Sequence, residues 1–126
     1  MMRLSNVCAA LKDNITSSTD LVERSLGRAE SSTQLNAFIS LDRRGALEAA
    51  QESDQRRTRA ATLSQFDGVP LVVRDNIAAR GLRWTGGCAH FRDLVASHDA
   101  AIVKRLRDLG FIILGKSNMD ELALGV

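Results

Sequence analysis

The sequence predicts an α/β fold in which N-terminal helices precede part of a mixed, helix-flanked sheet. Three observations carry this reading. The runs Val69–Val73 and Phe111–Leu114 are continuously apolar, broken only by Pro70 near the start of the first. Such runs suit buried strands of an α/β sheet. Between them, the stretch from Ser97 to Gly110 has helical spacing, and strand, helix, strand in that order implies a right-handed crossover and a parallel or mixed sheet. The N-terminal part is dominated by helical patterns.

The elements follow in order. A short helix is predicted over Val7–Lys12. A longer one runs from Ser17 to Arg28, with Ser17 as its cap, Asp20 completing a weak capping box, and Leu21, Val22, Ser25 and Leu26 at helical spacing. From Leu35 to Leu41 the pattern alternates: Ala37, Ile39 and Leu41 on one face, Asn36, Phe38 and Ser40 on the other, as in a strand with one buried face. Arg44–Arg57 is rich in Ala, Glu and Gln and reads as a helix with a shallow apolar face. A polar loop over Arg57–Gln65 leads to the turn signal Asp67-Gly68 and the first buried strand, whose early Pro70 is tolerated near a strand start. Ala79–Leu94, with Gly81, Gly86 and Gly87, is mostly loop. Ser97 is the expected cap of the next helix and Asp99 its first-turn acid. Ile102, Val103, Leu106 and Leu109 form its apolar stripe, and Gly110 its terminator.

Composition narrows the function classes. The chain has 126 residues, within the range of one domain, and its 44% hydrophobic and 25% charged content is that of an ordinary globular protein. Seventeen basic and fifteen acidic residues leave a net charge of only +2. The densest basic cluster, Arg56, Arg57 and Arg59, has no interleaved aromatics and reads as a solvated loop or helix end rather than a nucleic-acid surface. Cys8 and Cys88 lack the spacing of a zinc site or a disulfide framework, so no metal and no cofactor is expected, and a reducing cytoplasmic setting fits. No apolar run is long enough for a signal peptide or a membrane-spanning helix.

Both predicted buried strands end in polar triplets, Arg74-Asp75-Asn76 and Lys116-Ser117-Asn118. If the strands are parallel and adjacent, six polar residues meet at the carboxyl rim, where ligands gather in open α/β sheets. The bland alternative is that strand ends are polar because they meet water. For Arg74 that alternative is a rim arginine paired with a carboxylate. Lys116 beside Ser117 is a poor dyad, because adjacent strand residues face opposite ways. His90, His98, Asp93 and Asp99 have no spacing that supports a nucleophilic triad, and His98 reads as part of a helix's first turn.

Several segments together resemble the amidase signature family. GVPLVVRDN, Gly68–Asn76, resembles the family's lysine-bearing strand except at Arg74, and GLRWTGG, Gly81–Gly87, resembles its glycine-rich turn. Ser97–Ala123, SHDAAIVKRLRDLGFIILGKSNMDELA, resembles the following helix, strand and loop almost throughout. NITSSTDLVERSLGRAE and LNAFISL extend the likeness back to Asn14. The resemblance implies part of the amidase signature fold and carboxamide hydrolysis by a serine–serine–lysine mechanism. A serine attacks the carbonyl, a second serine relays its proton to a neutral lysine, and backbone amides hold the oxyanion. It puts Arg74 at the lysine's position and puts Thr85, Gly86, Gly87, Met119, Leu122 and Ala123 against the substrate cleft. In the family pattern GKSN is a turn leading into the cleft wall.

Arginine does not act as that base, since guanidinium stays protonated at physiological pH. Both serines of the family pattern are absent from the sequence, which ends at Val126 within the apolar segment ELALGV. The expectation is therefore a single partial amidase domain over residues 1–126, incomplete as a sheet and inactive alone. Its expected partner is a C-terminal amidase fragment, with a small amide as substrate only in an intact enzyme. A split amidase or a non-catalytic binding module are the alternatives. The substrate is not legible, and the pattern suits an indoleacetamide-hydrolase-like enzyme or an amidotransferase A-subunit-like chain equally. Exposed strand edges lead to the expectation of marginal stability or self-association.

Overall fold

A computed structural model describes residues 3–125. Helix α1 spans Leu4–Lys12, one turn longer at its start than its pattern suggested. Leu11 is its buried anchor, packed with Leu21 and Val69 and flanked by Val7, Cys8, Phe66 and Phe111. Helix α2, Ser18–Ser31, begins as predicted. Ser17 Oγ accepts from Asp20 N–H at 3.0 Å, and Ser17 N–H donates to the Asp20 carboxylate at 3.3 Å, so both halves of the capping box are present.

Strand β1 is Phe38–Leu41, shorter than the predicted Leu35–Leu41. Thr33–Leu35 forms a 3-10 turn instead, and Asn36 closes it in the left-handed region at φ 47°, a conformation asparagine tolerates. Helix α3, Arg43–Thr58, is capped by Asp42, whose carboxylate accepts from Gly45 N–H at 3.0 Å. Its buried residues are small, Ala46, Ala50 and Ser53, which lets α2 approach closely. The helices are also joined by polar contacts. Asp54 accepts from the Ser18 and Thr19 amides at 2.7 and 3.0 Å, placing a negative charge on the positive end of α2.

The sheet has the order β1-β3-β2, with β2 spanning Pro70–Arg74 and β3 spanning Ile112–Ser117. β3 is central, antiparallel to β1 and parallel to β2. Its residues alternate between two cores. Ile112 and Leu114 join Val22, Leu26, Ala46 and Ala50 under α2 and α3. Ile113 joins Val73, Ala79 and Val103 on the other side. The continuous apolar reading therefore suits β3. It fails for β2, an edge strand whose Val72 is 40% exposed, because the packed cluster takes up Leu71 and Val73 and leaves Val72 outside it. Pro70 is at home there, since an edge strand has N–H positions that no ladder needs.

Helix α4 spans Ala101–Asp108, and this corrects three expectations. Ser97 is not its cap: the cap position is Ala100, without a side-chain hydrogen bond. Asp99 and His98 lie ahead of the helix, and Asp99 accepts from Arg80 N–H at 2.7 Å. Of the apolar stripe, Val103 is buried but Ile102 is exposed, so the covered face is narrower than the pattern implied. The ending is as read: Gly110, φ 88°, donates to Arg107 O and Phe111 N–H to Leu106 O, a Schellman motif.

The basic cluster is corrected too. Arg56 forks onto the fully buried Asp67 at 2.9 and 2.8 Å, and Arg57 Nη2 donates to the Asp67 carbonyl at 2.5 Å. Two of the three arginines thus hold the loop before β2, and only Arg59 is an exposed helix-end residue. Burial by itself would raise the Asp67 carboxyl. Hydrogen bonds from Arg56, the Leu63 amide and Ser53 outweigh it and hold the carboxyl below its ordinary range.

Candidate functional site

The parallel register pairs Arg74 with Ser117, so the two polar triplets do meet at the carboxyl rim of β2 and β3. They do not form one solvent-facing cluster. Lys116 and Ser117 belong to β3 rather than to a turn, and the Lys116 side chain has no exposure at all. Its Nζ donates to Ile77 O at 2.6 Å and Arg83 O at 2.9 Å, and lies 3.4 Å from Asp75 Oδ1. Asp75 is equally buried, and its Oδ2 accepts from both the amide and the hydroxyl of Thr85. Desolvation pushes the Lys116 amine below its ordinary value, with the Asp75 charge opposing it. This buried pair joins the end of β2, the loop over 77–83 and the start of the glycine-rich turn. The amine is shut away from solvent and serves as a brace.

The turn itself is built on that brace. Gly87 N–H donates to Thr85 Oγ1 at 3.2 Å, and Gly86 and Gly87 adopt φ 60° and 71°. A Cβ at Gly87 would lie 2.7 Å from Met119 O, so glycine is required by both conformation and space. The 119–125 segment closes against this turn, with Leu122 N–H donating to Gly86 O at 2.7 Å. Leu122 and Ala123 are held at φ 52° and 58°, a left-handed conformation that costs a non-glycine residue about 1–3 kcal/mol. Of the six residues expected at a cleft, Gly86 meets Leu122 and Gly87 meets Met119, whereas Thr85 is bonded to Asp75 and Ala123 N–H to Asp120 O within its own segment. Their environments differ. Thr85 is buried, whereas Leu122 and Ala123 are exposed. Thr85 and Gly87 also line an open recess of about 300 Å³ together with Phe38, Arg83 and Asn118.

Arg74, the last residue of β2, reaches the same segment. Its Nη2 donates to Asp120 Oδ1 at 2.6 Å, with both side chains partly exposed. This is the rim arginine paired with a carboxylate that the sequence allowed. Asp120 Oδ2 also accepts from Gly125 N–H at 2.7 Å, and that bond, with the charge of Arg74 adding to it, holds the Asp120 carboxyl below its usual range. Sequence reasoning named Arg74 but missed Asp120 as its partner, and it missed Asp75–Lys116–Thr85 as a unit. The only signal for either was the pair of polar triplets.

The histidines do not contribute. His98 packs edge-on to Trp84 at 5.9 Å, and His90 edge-on to Phe91 at 5.1 Å. Among the described residues there is no group of three metal-ligating side chains and no helix long and apolar enough to cross a membrane. Cys8 and Cys88 are both free thiols.

The profile of the Amidase family matches residues 20–126. The chain belongs to the amidase family. It is 42% identical over 123 residues to the A subunit of glutamyl-tRNA(Gln) amidotransferase from Azoarcus sp. strain BH72, covering 97% of this chain and 25% of that one. It is 34% identical over 122 residues to the mitochondrial A subunit of the same amidotransferase from Canis lupus familiaris, covering 97% and 23%. The structure superposes on peptide amidase from Stenotrophomonas maltophilia with a TM-score of 0.89 and 30% identity, covering 95% of this chain and 25% of the amidase. The chain thus spans about a quarter of the length of the amidase-family relatives it matches. Its helices and mixed sheet are part of the amidase signature fold.

Proposed function

We propose that this chain forms one partial amidase domain, residues 1–126, of an enzyme that cleaves carboxamide C–N bonds, and that it contributes one wall of the cleft. Arg74 occupies the position of the family's proton-accepting lysine. The glycine-rich turn Thr85-Gly86-Gly87 and Met119, Leu122 and Ala123 bound the space for a small amide. The observation that carries this reading is the end of β2. There a cation lies at the carboxyl rim of parallel strands, and Asp120 links it to the segment packed on the glycine turn. Similarity to amidotransferase A subunits and to a peptide amidase supports the same class of bond.

In this reading the 126-residue chain does not hydrolyse amides by itself. The arginine is a fixed cation and does not accept the proton that the family's lysine takes. Among the described residues the two outer strands of the sheet, β1 and β2, each have an unpaired edge, and Val72, Leu122 and Leu124 are exposed. Such edges favour completion of the sheet by further family structure, in the same chain or in a separate C-terminal fragment.

The test is ammonia release from a panel of aryl and alkyl amides. The chain and its Arg74→Lys variant should both be inactive. In chimeras that add the remaining three-quarters of a relative, the lysine form should exceed the arginine form by about 10²–10⁴, the scale of general-base catalysis. Equal chimera rates would remove Arg74 from the lysine's position. Enzyme-dependent turnover by the chain alone would end the inactivity proposal.

A further inference from the structure

At the opposite end of β2 from Arg74, a cavity of about 630 Å³ opens between α1 and the loop that follows α3. Leu4, Cys8, Ala9 and Phe66 give it an apolar floor, and the Phe66 ring is fixed by stacking on Phe111 at 5.2 Å. Lys12 and Arg57 bring two cations to its wall, and among the described residues no acidic side chain lines it. Arg57 is half-buried. Among the described residues it has no carboxylate partner: Nη2 donates to a backbone carbonyl, and the buried Nε has no hydrogen-bond partner. Its neighbours explain why. The Asp67 carboxylate is taken by Arg56 and the Leu63 amide, and the Asp54 carboxylate by Ser18 and Thr19. A half-buried guanidinium with no carboxylate in direct contact, although Asp20 and Asp54 line a separate recess beside it, keeps donor capacity that an anion seated in the cavity would use.

We propose that this cavity is a binding site for a small organic anion with an apolar tail. The anionic head would lie between Lys12 and Arg57, and the tail against Leu4, Ala9 and Phe66. The volume is within the range of small-molecule sites, and an apolar lining with few convergent polar groups is their usual chemistry. The site is independent of the amide-cleaving role proposed for the other end of the sheet.

Cys8, in the cavity wall, provides a direct readout, and buried Cys88, in the loop after the glycine turn, provides the internal control. The 126-residue chain is titrated with octanoate, octan-1-ol and acetate, with binding followed by calorimetry and by the rate of maleimide alkylation at each cysteine. Octanoate should bind at least about tenfold more tightly than the other two, reflecting one charge-assisted hydrogen bond plus tail burial. It should slow alkylation of Cys8 and leave Cys88 unchanged. Arg57→Gln should lose at least about tenfold in octanoate affinity, with Arg57→Lys retaining most of it. Arg57 also supports the Asp67 carbonyl, so Lys12→Glu, at an exposed position, serves as a second variant and should weaken octanoate by a similar factor. Equal binding of octanoate and octan-1-ol, alkylation of Cys8 that ignores octanoate, or unchanged affinity in Lys12→Glu would each overturn the proposal.

Discussion

Replacing Lys116 by methionine tests the brace beneath the glycine turn. Methionine has a similar length and no charge, so packing around the stem is largely kept while the amine is lost. Three interactions disappear: the bonds to Ile77 O and Arg83 O at 2.6 and 2.9 Å, and the contact with Asp75 at 3.4 Å. Asp75 is left as a buried carboxylate whose remaining partner is Thr85. Breaking a buried ion pair from one side costs about 3–5 kcal/mol, a large fraction of the about 5–15 kcal/mol that holds a domain together. Asp75→Asn in the same background removes the stranded charge, and the residual loss should fall to the about 1–3 kcal/mol of the unpaired carbonyls. The two substitutions should therefore couple by at least about 1 kcal/mol in a double-mutant cycle. Urea denaturation followed by circular dichroism measures all four proteins. The pH dependence has a definite sign. Burial lowers the folded Lys116 value below its ordinary 10.5, so the unfolded chain binds more protons and stability rises as pH climbs toward 10.5. Lys116→Met should flatten that rise. A single-variant cost below about 1 kcal/mol, or strictly additive substitutions, would refute the picture of a coupled buried pair.

Two other outcomes follow from the same structure. Asp67 and Asp54 both sit below their ordinary value of 3.8, in each case because hydrogen bonds outweigh burial. Their stabilisation is fully present above pH 3.8 and is lost as pH falls through the lower folded values, so Asp67→Asn should lower stability at pH 7 and flatten the acid limb; an acid limb unchanged in the variant would contradict this. Gly87→Ala should cost about 1–3 kcal/mol in urea unfolding, because its φ of 71° and the 2.7 Å approach of Met119 O both oppose a Cβ; a neutral effect would show that the 119–125 segment does not close on the turn.

Local rules read well wherever one local interaction decides the outcome. The capping box of Ser17 and Asp20 and the terminator Gly110 lie where their sequence signals stand, because each satisfies helix-end groups within a few residues. The start of α4 was misread for the same reason in reverse. Ser97 looks like a cap, but Asp99 is recruited by Arg80 and Arg107, and the chain becomes helical only at Ala101. Burial was legible for β3 and not for β2, since an apolar run does not reveal whether a neighbouring layer covers its second face.

The sequence by itself determined the family, the helix–strand order, the polar endings of the two strands and the unusual arginine at one of them. Those properties depend on residue identity and short spacing. Only the tertiary structure decided what the polar residues do. Lys116 and Asp75 are 41 positions apart in sequence and lie on neighbouring parallel strand ends, where burial turns them into a brace. Arg74 and Asp120, separated by 46 positions, become an exposed tie across the same rim. The distinction between them is one of dielectric surroundings: the same pairing of opposite charges is costly and rigid in the dry interior, and weak and replaceable in water. Sequence spacing carries no information about which of those surroundings a residue will meet.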